Sequence, residues 1–97
     1  MKFTLEKPNK NIPNLLQELG YRFYAQEKEE SIFLKRLGFG NYPRFHIYLK
    51  NNKDLHFNLH LDQKKPIYKG APAHSAEYDG EILKKEAERI KEKFKGL

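Results

Sequence analysis

Three of the four histidines, an arginine, a tyrosine and a carboxylate fall at alternating positions inside one short stretch. Phe45, Ile47 and Leu49 alternate with Arg44, His46, Tyr48 and Lys50, and Leu55, Phe57, Leu59 and Leu61 alternate with His56, Asn58, His60 and Asp62. Period-two alternation is the signature of strands with one buried and one wet face. The stretch from Tyr42 to Asp62 therefore reads as a hairpin whose wet face gathers the residues able to do chemistry.

Pairing apolar against apolar sets Leu49 opposite Leu55 and Ile47 opposite Phe57 around a loop Asn51-Asn52-Lys53. On the polar side this puts Lys50 beside Asp54, Tyr48 beside His56, His46 beside Asn58 and Arg44 beside His60. A slip of two residues keeps the faces and changes the partners, so the face is better determined than any one pair.

Three chemistries suit such a face. Same-face neighbours along a strand lie ~6.5–7 Å apart, so a metal ion, were there one, would be held by His46, His60 and Asp62. Arg44 beside them would repel a dication, and no metal or other cofactor is expected. Acid–base cleavage of RNA is the second: imidazoles titrate near neutrality, so His46 and His60 could serve as general base and acid while Arg44 or Lys50 steadies phosphate charge. The third is binding alone, with Tyr48 for stacking, His56 to stack or hydrogen-bond, and Arg44, Lys50, Lys53, Lys64, Lys65 and Lys69 as the flanking cations for phosphates.

Charge supports a polyanion partner. The formal net charge is +6, and both ends of the chain are balanced. Residues 35 to 69 carry Lys35, Arg36, Arg44, Lys50, Lys53, Lys64, Lys65 and Lys69 against Asp54 and Asp62 only. A localised positive stretch of this kind is the footprint expected for nucleic acid. The absence of cysteine excludes a disulfide framework, a thiolate metal site and a cysteine nucleophile, and fits the cytoplasm. No signal-peptide core and no membrane-length apolar run is visible, so no membrane association is expected.

The elements that must position the hairpin can be taken in order. Phe3 and Leu5 mark a short strand that Pro8 ends or confines to a sheet edge. Ile12, Leu15, Leu16 and Leu19 share one helical face, with Asn11 as cap and Gly20 as stop. Tyr21 to Ala25 and Ser31 to Leu37 read as a second hairpin around Glu27-Lys28-Glu29-Glu30. Gly38-Phe39-Gly40 precedes a strand and lacks the rest of a phosphate-loop motif, so it reads as a connecting loop. Residues 63 to 74 form a long aromatic and basic loop. A final helix, capped by Asp79 or Ser75, carries the core stripe Leu83, Ala87, Ile90 and Phe94. Neither Ser31 nor Ser75 has the setting of a hydrolase nucleophile.

Two resemblances accompany this reading. Tyr42 to Lys50, Phe57 to Pro66 and Ala73 to Glu81 resemble a short, uncharacterised bacterial protein family of small genomes, which brings no assigned activity. Leu15-Leu16-Gln17-Glu18-Leu19-Gly20-Tyr21-Arg22-Phe23, Phe45-His46-Ile47-Tyr48 and the last helix are similar in order to the HicA messenger-RNA interferase toxins. That resemblance implies a fold like a double-stranded-RNA-binding domain and would make His46 the catalytic residue.

The sequence thus predicts a single α+β domain over 1–97. Its architecture is a mostly antiparallel sheet of about five strands with two helices on one face, in the order β-α-β-β-β-β-α. The expected function is RNA binding through the 44–62 hairpin; a histidine-dependent endoribonuclease and a non-catalytic protein-interaction domain are the alternatives. Oligomeric state is left open.

Overall fold

A computed structural model describes residues 1–63 and 80–97. Its elements are β1 (Lys2–Leu5), α1 (Ile12–Glu18), β2 (Arg22–Glu27), β3 (Glu30–Arg36), β4 (Arg44–Asn51), β5 (Leu55–Asp62) and α2 (Gly80–Phe94). The strands form one antiparallel sheet in the order β1-β5-β4-β3-β2. The α+β architecture and element order expected from the sequence are both present. The caps expected for α2 at Ser75 and Asp79, and the basic loop with Lys64, Lys65 and Lys69, lie outside the described residues.

Alternation decides which face the helices cover. Phe45, Ile47 and Leu49 of β4 and Leu55, Phe57, Leu59 and Leu61 of β5 are buried in one cluster with Ile12, Leu15, Leu16 and Leu19 from α1 and its end, and with Leu83, Ala87, Ile90 and Phe94 of α2. Both helices therefore pack on the same side of the sheet. Phe3 of β1 stacks on Phe57 at 5.0 Å, and Phe94 meets the same ring edge-on at 5.8 Å. No helix among the described residues is long and apolar enough to cross a membrane.

Local chemistry sets the ends of α1. The Asn11 side chain accepts a hydrogen bond from the Asn14 amide at 2.9 Å, satisfying one of the orphan donors of the first turn. At the other end the Gly20 amide donates to Gln17 and the Tyr21 amide to Leu16, each at 2.9 Å, the paired bonds of a Schellman stop. Gly20 sits at φ +101°, and a Cβ there would also come within 3.1 Å of the Lys35 side chain. The left-handed backbone is what favours glycine here; the Lys35 side chain would have only to shift by a few tenths of an ångström.

The second hairpin differs in detail from the sequence expectation. Its strands run through Glu27 and Glu30, leaving Lys28 and Glu29 as the turn. Charged residues are tolerated there because the sheet margin is solvated, and no glycine is needed because Lys28 itself takes φ +53°. Gln26 clasps the turn, donating to the Lys28 carbonyl at 3.1 Å and accepting from the Ser31 hydroxyl at 2.7 Å. Tyr21, expected to open the strand, instead ends the helix stop and is buried. A bulge between Phe23 and Ala25 leaves Tyr24 as the extra residue, and both Phe23 and Tyr24 stand exposed at the sheet edge.

The core contains one charged side chain among the described residues, Glu86 of α2 at 7 % exposure. It accepts a hydrogen bond from the Tyr21 hydroxyl at 2.5 Å and two from Arg89, at 2.9 and 2.8 Å, while Arg89 also donates to the Leu19 carbonyl at 2.8 Å. Burial alone would push the Glu86 carboxyl up. The Arg89 and Tyr21 hydrogen bonds and the charges of Lys35 and Arg89 outweigh it and hold the group below its ordinary 4.5. Burial pushes the Tyr21 phenol far above its ordinary range, and the adjacent carboxylate adds to that.

Tyr21→Phe keeps the ring and removes the donor, and should lower unfolding free energy by about 1.5–3 kcal/mol, read as a lower urea midpoint at unchanged slope. The contribution of Glu86 is complete above its unfolded value and is lost as pH falls through the depressed folded one. Stability should therefore drop below pH 4.5; Glu86→Gln should flatten that limb, and an unaltered limb would place its origin elsewhere.

Candidate nucleic-acid interface

On the face opposite the helices, the ladder arranges four cross-strand rows. Arg36, Arg44 and Asp62 form one, and Leu34, His46 and His60 the next. Ile32, Tyr48, Asn58 and Lys2 follow, and then Glu30, Lys50, His56 and Thr4. The face assignment read from alternation holds for every residue of the two central strands.

The register does not follow the first pairing. Asn51 faces Leu55, and the turn is Asn52-Lys53-Asp54, closed by the Asn52 amide donating to the Asp54 carbonyl at 3.1 Å. Leu49 meets Phe57, Ile47 meets Leu59 and Phe45 meets Leu61. Both registers match apolar residues over most of the core face, and each sets one pair of opposite charges on the polar face, Lys50 with Asp54 in the first and Arg44 with Asp62 in the observed one. The observed one sets Arg44 opposite Asp62, an ion pair the other lacks, and it finds Leu61 an apolar partner in Phe45 where the other would offer Pro43.

This slip assembles the histidine cluster. His46 and His60 are directly opposite rather than diagonal, with rings stacked at 4.8 Å and 15°. The Tyr48 ring stands nearly perpendicular to both, with centroids 5.0 Å from His46 and 5.8 Å from His60. His46 Nδ1 lies 2.7 Å from Asp62 Oδ2, and Arg44 Nε lies 3.3 Å from the same oxygen. Burial would push the Asp62 carboxyl up; the His46 hydrogen bond and charge, followed by those of Arg44, hold it below its ordinary 3.8. An ionised carboxylate only accepts, so Nδ1–H is the donor and Nε2 of the neutral ring carries the lone pair.

The Tyr48 phenol is pushed up by burial first, then by the charges of Glu27, Asp62 and Glu30, with Arg44 opposing. The cluster is half-buried rather than fully wet. Its rings pack on one another, and the two β3 residues directly opposite His46 and Tyr48 are apolar, Leu34 and Ile32, the latter 5 % exposed.

The remaining candidates separate into two ends. Lys50 and His56 are paired and lie with Lys2, Thr4 and Asn58 around one shallow concavity, while Lys53 projects from the turn. His56 Nδ1 is 3.2 Å from the Thr4 hydroxyl. Glu30, opposite Lys50, is the counter-charge at this end. At the other end Arg44, its guanidinium 4.6 Å from the Tyr42 ring centroid, lines a second concavity with Arg22, Tyr24, Leu34, Arg36 and Phe39. Alternation could not reveal this grouping, because a bulge supplies Tyr24 and a loop supplies Phe39. The only sequence signal was a solitary phenylalanine between two glycines.

As chemistry, the cluster offers one oriented imidazole. The stacked rings leave no room for a phosphate between them, so His46 and His60 could act on a phosphodiester only along a shared edge. Among the described residues no three His, Asp or Glu side chains are arranged to hold a metal ion.

Compared with protein-family models, curated proteins and solved structures, the chain matches none.

The orientation of His46 is open to direct measurement. Long-range proton–nitrogen correlation of the imidazoles should show its neutral form protonated at Nδ1, and Asp62→Asn should shift that signal most. The opposite tautomer would mean that Asp62 does not set the ring.

Proposed function

We propose that this domain binds RNA, single strands preferred, through the sheet face opposite its helices. The observation that carries the reading is the gathering of Arg44, Tyr48, Lys50 and His56 on one face that neither helix covers, with Lys53 at its rim. A sheet face combining aromatic rings with flanking cations suits unstacked bases and their phosphates. Arg44 supplies a planar fork, Lys50 and Lys53 supply mobile point charges, and Asn58 beside Tyr48 offers both a donor and an acceptor for a base edge.

Phosphate neutralisation releases counterions, so affinity for a mixed-sequence single-stranded RNA should fall steeply with salt. Lys50→Glu with Lys53→Glu, neither part of an ion pair among the described residues, should weaken binding about tenfold or more and flatten the salt slope. Amide NMR shifts on RNA addition should centre on β4 and β5. Unchanged affinity in that variant, with its amide spectrum otherwise intact, would remove the reading.

The His46–Asp62 pair supports a second reading, endoribonuclease activity. In it His46 Nε2 takes the 2′-hydroxyl proton, the resulting oxygen attacks phosphorus, and the 5′-oxygen leaves with a proton from His60. End-labelled RNA would then be cut to products ending in a cyclic phosphate, and His46→Ala would bind but not cut. Intact RNA after prolonged incubation with the parent protein ends this reading.

A further inference from the structure

The end of the sheet where β2 and β4 begin and β3 finishes holds a concavity of about 720 Å³, lined by Arg22, Tyr24, Leu34, Arg36, Phe39 and Arg44. Its volume lies within the range of small-molecule sites, roughly 300–1,000 Å³. Three guanidinium side chains come from three adjacent strands, and the lining includes no carboxylate. Arg22 and Arg36 make no ion pair among the described residues, while Arg44 is shared with Asp62. Clustered arginines without counter-charge call for an anion from outside, and their forked donors match phosphate oxygens.

The apolar part of the lining is as specific. Phe39 is fully exposed, and Tyr24 is 63 % exposed. Exposing a complete phenylalanine ring has no structural return, since the core cluster does not include it. The ring sits at the tip of a five-residue loop, Gly38 to Tyr42, pinched at its base by the Leu37 amide donating to the Pro43 carbonyl at 3.0 Å. Glycines flank it on both sides, and a Cβ at Gly38 would meet nothing within 4 Å. The glycines are therefore not demanded by crowding, and they leave the loop free to adjust the ring against a flat partner.

We infer that this concavity is a nucleotide-stacking site for single-stranded RNA: a base lies against Phe39 and Tyr24, and the phosphates on either side of it are held by Arg22 and Arg36. The inference rests on the RNA-binding reading and adds to it a site outside the β4–β5 hairpin. Arg44 is common to both, so a strand crossing the face from Lys50 and His56 toward Arg44 runs on into the concavity. Stacking is sequence-tolerant because every base has a flat face, and the arginines read only phosphate, so the site takes RNA of any sequence.

The chain has no tryptophan, so Phe39→Trp introduces a single indole at a position where no packing is disturbed. Short oligouridylate should quench its fluorescence in a saturable way, with the midpoint that NMR shifts in β4 and β5 report. Phe39→Ala should weaken oligouridylate binding by about five- to fiftyfold while leaving heparin, a polyanion without bases, unaffected. Arg22→Ala and Arg36→Ala should each reduce the salt slope by about 0.7. RNA binding at β4 and β5 with no quenching and a neutral Phe39→Ala overturns the stacking site and leaves the RNA reading standing. Absence of RNA binding by the parent protein overturns both. Equal loss of heparin and RNA affinity in Phe39→Ala, or conversion of a self-associated protein to monomer by that change, also overturns the site, because Phe39 would then serve something other than a base.

Discussion

A carboxylate inside an apolar core must be surrounded by donors, and meeting that demand fixes how the two helices sit. Glu86 lies in the stripe that α2 turns toward the sheet, between positions that pack as core. Its donors come from its own helix, through Arg89, and from Tyr21 just beyond α1. Arg89 then reaches the carbonyl of Leu19, a group that the end of α1 would otherwise leave partly unsatisfied. The helix stop at Gly20 is what delivers Tyr21 and that carbonyl to the same place. Lys93 and Glu18 add a second tie between the helices at their surface, at 2.5 Å, worth little beside the buried network. An apolar residue at position 86 could pack as well or better, since buried charges are costly. What the carboxylate adds is a fixed partner for each donor, and so one placement of α2 over the sheet.

With both helices committed to one side, the properties of the other side follow from register. Alternation alone assigns residues to faces, but only the pairing decides which of them touch. Shifting one strand by two residues moves Asp62 from beyond the paired region to a place opposite Arg44, and brings His60 opposite His46. The ion pair, the hydrogen bond to His46 and the stacked imidazoles all arise from that single choice. Each is modest alone. Together they tie Arg44, His46, His60 and Asp62 into one half-buried cluster.

The fold was readable because its strongest signals are periodic. The stripe Leu83, Ala87, Ile90 and Phe94, the set Ile12, Leu15, Leu16 and Leu19, and the two alternating strands each repeat a pattern that only one element satisfies. Glu86 was illegible for the opposite reason: one carboxylate in a helix rich in Glu and Lys looks like another solvated charge until Tyr21 arrives from sixty-five residues away in sequence. The register was ambiguous because both pairings match apolar residues and each offers one pair of opposite charges, and the Arg44–Asp62 pair of the observed one lies at the hairpin's open end, far from the turn that the sequence suggested. Tyr24 and Phe39 obey no period. One is the extra residue of a bulge and the other occupies a loop tip, so pattern reading passes over both.

Arg44 is where these separate features meet. Its Nε approaches Asp62, its guanidinium lies over Tyr42, and the same side chain lines the arginine concavity. A guanidinium has five donors, and the Nε contact with Asp62 engages one of them. An incoming phosphate at this point would compete for Arg44 with the carboxylate that orients His46. If the strand draws Arg44 away, Asp62 keeps His46 as its nearer partner, at 2.7 Å against 3.3 Å. Arg44 is thereby shared between the open face and the arginine concavity, and its position bears on the His46–Asp62 pair through one carboxylate oxygen.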